Sequence, residues 1–328
     1  MNAAKTVVTG GGGFIGRHLV DRLLEGGADV TVFDGGPPNR PATAGHPRWV
    51  TGDVRDHAAV GRAITHGVDV VYHLAASVGV DQYLARPLDV IDVNFSGTRN
   101  VLERAREVGA RVVVASTSEV FGKNPAVPWR EDDDRVLGPT SADRWSYSTS
   151  KALAEHLVFA FVRQHQLEAT IVRYFNVYGP GQRPAFVVSR TIHRVLNRRP
   201  VVIYDGGSQT RCFTFVDDAI DATIRVGADS RAIGEAFNIG SSVETRVADV
   251  VPLIVELAGG GTTPISVNTA ERLGRGYEDL SRRIPDTTKA REVLGWSATT
   301  SLRDGLIKTI EWARASDWWL ALPDAGAA

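Results

Sequence analysis

Residues 5–16 read KTVVTGGGGFIG, and the parsing of this stretch decides the architecture of the chain. Lys5–Thr9 is a short β-branched run of strand character. Four glycines follow. FIGRHLVDRLLEGG then carries apolar residues at helical spacing and stops on Gly26 and Gly27. Gly10, Gly13 and Gly16 therefore stand in GxxGxxG spacing between a strand and a helix. Glycine there allows a tight turn, lets backbone N–H groups approach a pyrophosphate, and permits close helix–strand packing. The helix N-terminus adds partial positive charge. Consecutive glycines alone would suit a flexible turn. Here Asp34, at the end of a second strand about 20 residues on, completes a dinucleotide site. A carboxylate at that point accepts from both adenosine ribose hydroxyls and would repel a 2′-phosphate. The expected cofactor is NAD.

Outward from this unit the pattern repeats. ADVTVFD ends at Asp34, RWVTGD ends at Asp53, and VDVVYHLAA (68–76) is a continuous apolar run suited to a strand buried on both faces. A helical stretch spans Pro87–Val108, RVVVAST covers 111–117, a helix runs through Tyr147–Gln164, and EATIVRYFNVYG (168–179) is the next strand. Strands alternating with helices predict an α/β fold, a Rossmann-type doubly wound parallel sheet over residues 1–178. Beyond Gly179, GPGQRP, YDGGSQ and AGGGTTP separate short strands. That pattern predicts a smaller mixed α/β substrate lobe over 179–320, with segments near 213–240 rejoining the first sheet and a tail at 321–328 that frays. There is no internal repeat.

The chain has 328 residues, 43% hydrophobic and 23% charged, which is ordinary for a globular protein. Its net charge of −1 gives no global attraction to nucleic acid or anionic membrane. Cys212 is the only cysteine, so no internal disulfide forms, and no metal site is expected. MNAAKTVVTG is too short in apolar length for a signal peptide, and no run approaches the roughly 20 apolar residues of a membrane span. A cytoplasmic protein is expected.

SYSTSK (146–151) sets Tyr147 and Lys151 four apart, on one face of a helix. A tyrosine hydroxyl titrates near pH 10 in water. A neighbouring ammonium and a positive nicotinamide would favour its phenolate, the form a general base needs. At the end of the fifth strand, ASTSEVFG (115–122) presents Thr117, Ser118 and Glu119. If the extended conformation persists, Thr117 and Glu119 face one side and Ser118 the other. Thr117 would then hydrogen-bond a carbinol being oxidised by Tyr147.

These motifs resemble the extended short-chain dehydrogenase/reductase family of nucleotide-sugar epimerases, dehydratases and decarboxylases. The likeness covers nearly the whole chain: TGxxGFIG, Asp34, GDV (52–54), HLAA (73–76), Asn94 in VNxxGT, STSEVFG, YxxxK, RYFNVYGPGQ (173–182), RCFTFVDD (211–218) and RRIPD (282–286). The resemblance implies tightly bound NAD and catalysis at C4 of a nucleotide-linked hexose, most often UDP-linked. It also implies a homodimer through the long helices following Asn94 and Tyr147. It carries Thr117, Ser118, Glu119, Tyr147 and Lys151 over as catalytic. Gly10, Gly13, Phe14, Ile15, Gly16, Asp34, Asp53, Val54, Leu74, Ala75, Ala76 and Asn94, with Tyr147 and Lys151 again, carry over as cofactor-binding. Asn176, Arg211 and Arg283 carry over as substrate-binding, and arginines suit a diphosphate that a near-neutral chain must hold locally. Taken without the resemblance, Asp53 also reads as a turn acid and the arginines as surface residues.

Members of this family share one opening step, oxidation of the C4 carbinol to a ketone. Dehydratases resemble Thr-Asp-Glu at the strand end, where the aspartic acid protonates the departing hydroxyl. Ser118 is a poor acid, which counts against dehydration. Thr-Ser-Glu, the arginine before Pro-Asp in GRGYEDLSRRIPD (274–286) and RWSYSTSK resemble the UDP-glucuronate decarboxylases. Phe121 in place of tyrosine and RYFNVYGPGQRP depart from that subgroup, and the latter looks more like the C4 epimerases. Decarboxylation is the favoured expectation, with C4 epimerisation the alternative. A non-catalytic NAD sensor is disfavoured because Thr117, Tyr147 and Lys151 are all present.

Overall fold

A computed structural model describes residues 3–37, 45–261, 264–268 and 280–324. The alternating segments close into one seven-stranded parallel sheet. It comprises β1 (Lys5–Thr9), β2 (Asp29–Asp34), β3 (Arg48–Thr51), β4 (Val70–His73), β5 (Arg111–Thr117), β6 (Ala169–Tyr174) and β11 (Ala236–Ile239). Their order is β11-β6-β5-β4-β1-β2-β3. The order reverses between β1 and β4, the switch point where open α/β sheets bind ligands.

Helices α1 (Phe14–Glu25) and α7 (Val216–Ala228) pack on one face; α2 (His57–Ala63), α4 (Pro87–Val108) and α5 (Arg144–His165) cover the other. Alternate residues of β1 serve the two faces: Val8 joins Leu19, Val20 and Ala222, whereas Val7 joins Val101, Leu102 and Ala105. This is what a strand with no solvent side requires. Each such aliphatic side chain contributes about 1.5–3 kcal/mol by burial. After β5, residues 120–129 and Phe175 form a separate aromatic cluster, with Phe121 stacked on Trp129 at 5.0 Å.

Two expected strands end early, and both breaks shape the cavity. The run 68–76 is a strand only over Val70–His73. The run 168–179 breaks at Phe175–Asn176, where Asn176 adopts φ 41°. Asparagine tolerates this left-handed conformation better than most residues. The chain then forms β7 (Val177–Tyr178), which pairs with β10 (Thr214–Phe215) in a sheet of its own. Around it lie two further strand pairs: β8 (Val202–Tyr204) with β13 (Ile265–Val267), and β9 (Thr210–Cys212) with β12 (Glu244–Arg246). Helices α6 (Val187–Leu196) and α8 (Val247–Leu257) pack beside them. The chain rejoins the main sheet at β11, parallel to β6. Within the expected tail, the Asp324 carboxylate pairs with Arg190 and Arg194. Residues 325–328 lie outside the described residues.

Candidate active site

A cavity of about 730 Å³ runs from the glycine loop, past the end of β5, into the C-terminal strand pairs. At its first end Gly10 has φ +70°, and a Cβ there would meet Ala75 N at 2.6 Å. A Cβ on Gly16 would lie 2.2 Å from the Gly10 carbonyl. Backbone thus meets backbone where the pyrophosphate cradle must be thin. The Gly12 N–H donates to Asp34 Oδ2 at 2.9 Å, so the acid that ends β2 also fixes the loop. Gly10, Gly13, Phe14, Ile15, Gly16, Leu74 and Ala76 line the cavity. This donor set fits a dinucleotide: a helix N-terminus behind glycines and a carboxylate one strand away.

The wall opposite is fixed from behind. Buried His73 lies between the Thr9 and Thr98 hydroxyls, at 2.7 and 3.1 Å, and burial lowers its pKa to about 3, so the ring is neutral. Of the expected cofactor contacts, Asp34, Asp53, Val54, Ala75 and Asn94 are not among the residues that line this cavity. Asn94 is fully buried; it accepts from Ser77 N at 3.1 Å and donates to Ser150 Oγ at 3.1 Å. It holds the loop after β4 against α5. Val54 is buried against Gly97, and Ala75 abuts Gly10. Asp53 is taken up by Arg55, whose Nη2 lies 2.6 Å from Oδ2.

Beyond the glycine loop stand Thr117, Ser118, Glu119, Tyr147 and Lys151, all lining the cavity. The extended conformation ends at Thr117, and Ser118–Phe121 form a 3₁₀ turn. Alternation therefore does not sort these side chains, and Ser118 lines the same cavity as its neighbours. Thr117 Oγ1 accepts from Glu119 N at 3.2 Å, which closes the turn. Tyr147 packs with Tyr83 and Val90, and the Thr117 hydroxyl hydrogen-bonds its phenol oxygen.

Charge is distributed differently from the expectation. Lys151 donates its Nζ proton to the Ala115 carbonyl at 2.9 Å. Burial lowers its pKa to about 8, against the raising effect of Glu155. Burial, then the Glu119 carboxylate, push the Tyr147 phenol up; Thr117, Arg283 and Arg144 pull it down. The cations acting on the phenol are thus arginines, because the ammonium is aimed at a strand carbonyl. Glu119 is held between Arg144 Nη1 at 2.5 Å and Arg283 Nη1 at 3.0 Å. Burial alone would raise its pKa, yet the two guanidiniums lower it to about 2. It is therefore ionised near neutral pH.

Asn176 and Arg211 line the far part of the cavity, with Arg211 Nη1 donating to the Thr210 and Leu280 carbonyls. Of the segment 274–286, residues 274–279 lie outside the described residues, while Arg283 lines the cavity. Sequence reading passed over several residues found here. Arg144, one helical turn before Tyr147, is one. Arg183 is another; its guanidinium closes a fork on Asp81 at 2.8 Å. Arg190 and Tyr204, 3.1 Å apart, line the far part of the cavity. The RWSYSTSK motif contained Arg144; the other pairings join distant segments and leave no local signal.

Residues 6–240 match the model of the NAD dependent epimerase/dehydratase family. The chain belongs to this family. NAD is its cofactor, in keeping with Asp34 and the glycine cradle. It is 38% identical over 317 residues to UDP-N-acetyl-alpha-D-glucosaminuronate decarboxylase of Bacillus cytotoxicus, covering 94% of this chain and 98% of that one. The structure of MoeE5 in complex with UDP-glucuronic acid and NAD superposes with a TM-score of 0.84 at 33% identity, covering 95% of this chain and 99% of the other. UDP-glucose 4-epimerase of Thermotoga maritima, solved with UDP-glucose, gives 0.86 at 31% identity, with the same coverages of 95% and 99%. Among the described residues no helix is long and apolar enough to cross a membrane, and no group of three metal-ligating side chains occurs.

Proposed function

We propose that this enzyme decarboxylates a UDP-linked hexuronate, of the UDP-glucuronate type, through a 4-keto intermediate. The observation that carries the reading is Arg283. It lines the cavity beside Thr117 and Tyr147 and is held there by an ionised Glu119. A guanidinium at that point suits the carboxylate of a hexuronate. The similarity to a glucosaminuronate decarboxylase and to a structure holding UDP-glucuronic acid supports the same substrate class.

In this reading Tyr147 takes the C4 hydroxyl proton while Thr117 fixes that oxygen. NAD, when bound, supplies the acceptor for the C4 hydride. Lys151 lines the cavity one helical turn from Tyr147 and donates to the Ala115 carbonyl of β5. The ketone at C4 makes the C6 carboxylate that of a β-keto acid, which leaves as carbon dioxide, and C5 then takes up a proton. Arg283 holds the carboxylate and Glu119 holds Arg283. Neither Ser118 nor the ionised Glu119 supplies the acid that dehydration needs. Asn176 and Arg211 are assigned to the diphosphate and residues 179–320 to the nucleotide-sugar lobe. Asp34 is assigned to the adenosine ribose. A homodimer through α4 and α5, whose Leu88, Ile91 and Leu153 are exposed, and a cytosolic location complete the proposal.

Incubation with a panel of UDP-sugars followed by mass spectrometry tests it. Loss of carbon dioxide from UDP-glucuronate or its 2-acetamido counterpart is expected. Unchanged mass with inverted C4 stereochemistry would establish the epimerase reading instead.

A further inference from the structure

Arg144 touches neither the cavity nor the surface. It is 2% exposed, lies at the start of α5 one turn before Tyr147, and does not line the pocket. Its guanidinium sits over the Tyr83 ring at 5.7 Å and the Trp145 ring at 5.4 Å. From beside those rings Nη1 reaches Glu119 Oε2 at 2.5 Å, and the other carboxylate oxygen accepts from Arg283 at 3.0 Å. A line of charges, plus, minus, plus, thus runs from the buried end of α5 to the cavity. Burying a guanidinium beside aromatic rings costs desolvation that only a well-placed anion offsets. The fold places this one where a single carboxylate links it to Arg283.

We propose that Arg144 is a positioning residue for the reaction: by gripping Glu119 it fixes the direction of Arg283 and sets the net charge that faces the Tyr147 phenol. With Arg144 the trio carries one net positive charge. Without it the trio is neutral, and the Glu119 carboxylate acts on the phenol with only Arg283 to oppose it.

The other groups around the phenol do not supply this charge. From β5 comes the neutral Thr117 hydroxyl. Lys151, on α5 itself, is turned to the Ala115 carbonyl. On the short helix α3 (Val80–Ala85), Tyr83 is neutral and Asp81 is matched by Arg183. Helix α4 presents Val90, and its Asp89 is paired with Arg55. Arg283 and Glu119 complete the set. Removing Arg144 therefore raises the pH at which the phenol ionises, by the mechanism through which nearby charges shift a titration.

This inference rests on Tyr147 acting as the base, and its test is separable from the decarboxylation reading. The full-length NAD-loaded enzyme is mixed with UDP-glucuronate, its 2-acetamido counterpart and UDP-glucose. NADH formation in a single turnover is followed against pH, and carbon dioxide release is scored separately. For Arg144→Met the acid limb of the NADH-formation profile is expected to move up by about one pH unit. KM for the hexuronate should rise more than KM for UDP-glucose, because Arg283 is no longer braced. Arg144→Lys, which keeps the charge and loses the planar guanidinium over Tyr83 and Trp145, should restore the pH profile and leave KM partly raised. If Arg144→Met does not fold, Arg144→Lys and Arg144→Gln are compared in its place, the glutamine variant taking the methionine's expected shift. A variant slowed equally at every pH and for every substrate would overturn the proposal, as would a wild-type profile. If the wild type forms NADH but releases no carbon dioxide, the decarboxylase assignment fails and the Arg144 test still stands.

Discussion

Two carboxylates near the end of β5 are each gripped by two arginines, and they do different things. Glu155, on α5, accepts from Ser116 Oγ at 2.5 Å, from Arg173 at 2.9 and 2.8 Å and from Arg135 at 3.0 Å. Its side chain is 1% exposed, and neither it nor its arginines line the cavity. Glu119 has the same composition around it, but its carboxylate and Arg283 face the cavity. The first cluster stands clear of the cavity, with its surplus positive charge carried by the part-exposed Arg135, and it ties α5, β5, β6 and the 131–135 loop together. The second is open at one end, where a guanidinium meets whatever enters. Identical ion-pair chemistry becomes scaffold or site according to whether its last member reaches the cavity.

Substitutions can break or sharpen this contrast. The largest effect is expected at the group the open cluster serves. Tyr147→Phe should lower turnover by about a thousandfold, within the range for loss of a general base, while NAD binding and melting temperature stay near wild type. Steady-state kinetics beside a thermal melt would show it. Glu155→Leu should do the opposite. Removing one member of a buried ionic cluster costs about 3–5 kcal/mol of stability, read by urea unfolding. If turnover per folded molecule also collapsed, the scaffold assignment would be wrong. Glu119→Gln should cost about a hundredfold in kcat/KM for the hexuronate, the size expected when a buried charge pair is opened. Its stability loss should stay below that of Glu155→Leu, because one end already faces the cavity. Equal losses would erase the distinction.

The smallest effect is a pH dependence. The folded pKa of Lys151, about 8, lies below its ordinary 10.5. Between those values the unfolded chain binds more protons, so wild-type stability should rise with pH relative to Lys151→Met, by about 2–3 kcal/mol in all. Below pH 8 the burial cost is present in full. Paired chemical denaturation series at pH 7 and pH 10 check the sign.

The fold was legible in local pattern. Val7 and Val8 in a strand without a polar face, glycines between that strand and α1, and Asp34 at the next strand end all act within a few residues of themselves. Tyr147 and Lys151 were legible as a pair because helical spacing is local too. What each touches was not. Lys151 meets a carbonyl 36 residues away, and Arg283 meets Glu119 across 164 residues. Asn94 lies among motif residues, yet its amide is used up by Ser77 and Ser150, a choice made by how α4 settles on α5. The turn at Ser118 was missed because strand alternation was extended past the point where Thr117 caps a 3₁₀ turn.

The edge position of β11 has a consequence for synthesis. Until Ala236–Ile239 leave the ribosome, the outer margin of ATIVRY (169–174) has no partner, and this strand is buried along its whole length in the finished molecule. An uncovered apolar margin invites pairing with another nascent chain. Truncations ending between Tyr178 and Gly234 should therefore clump.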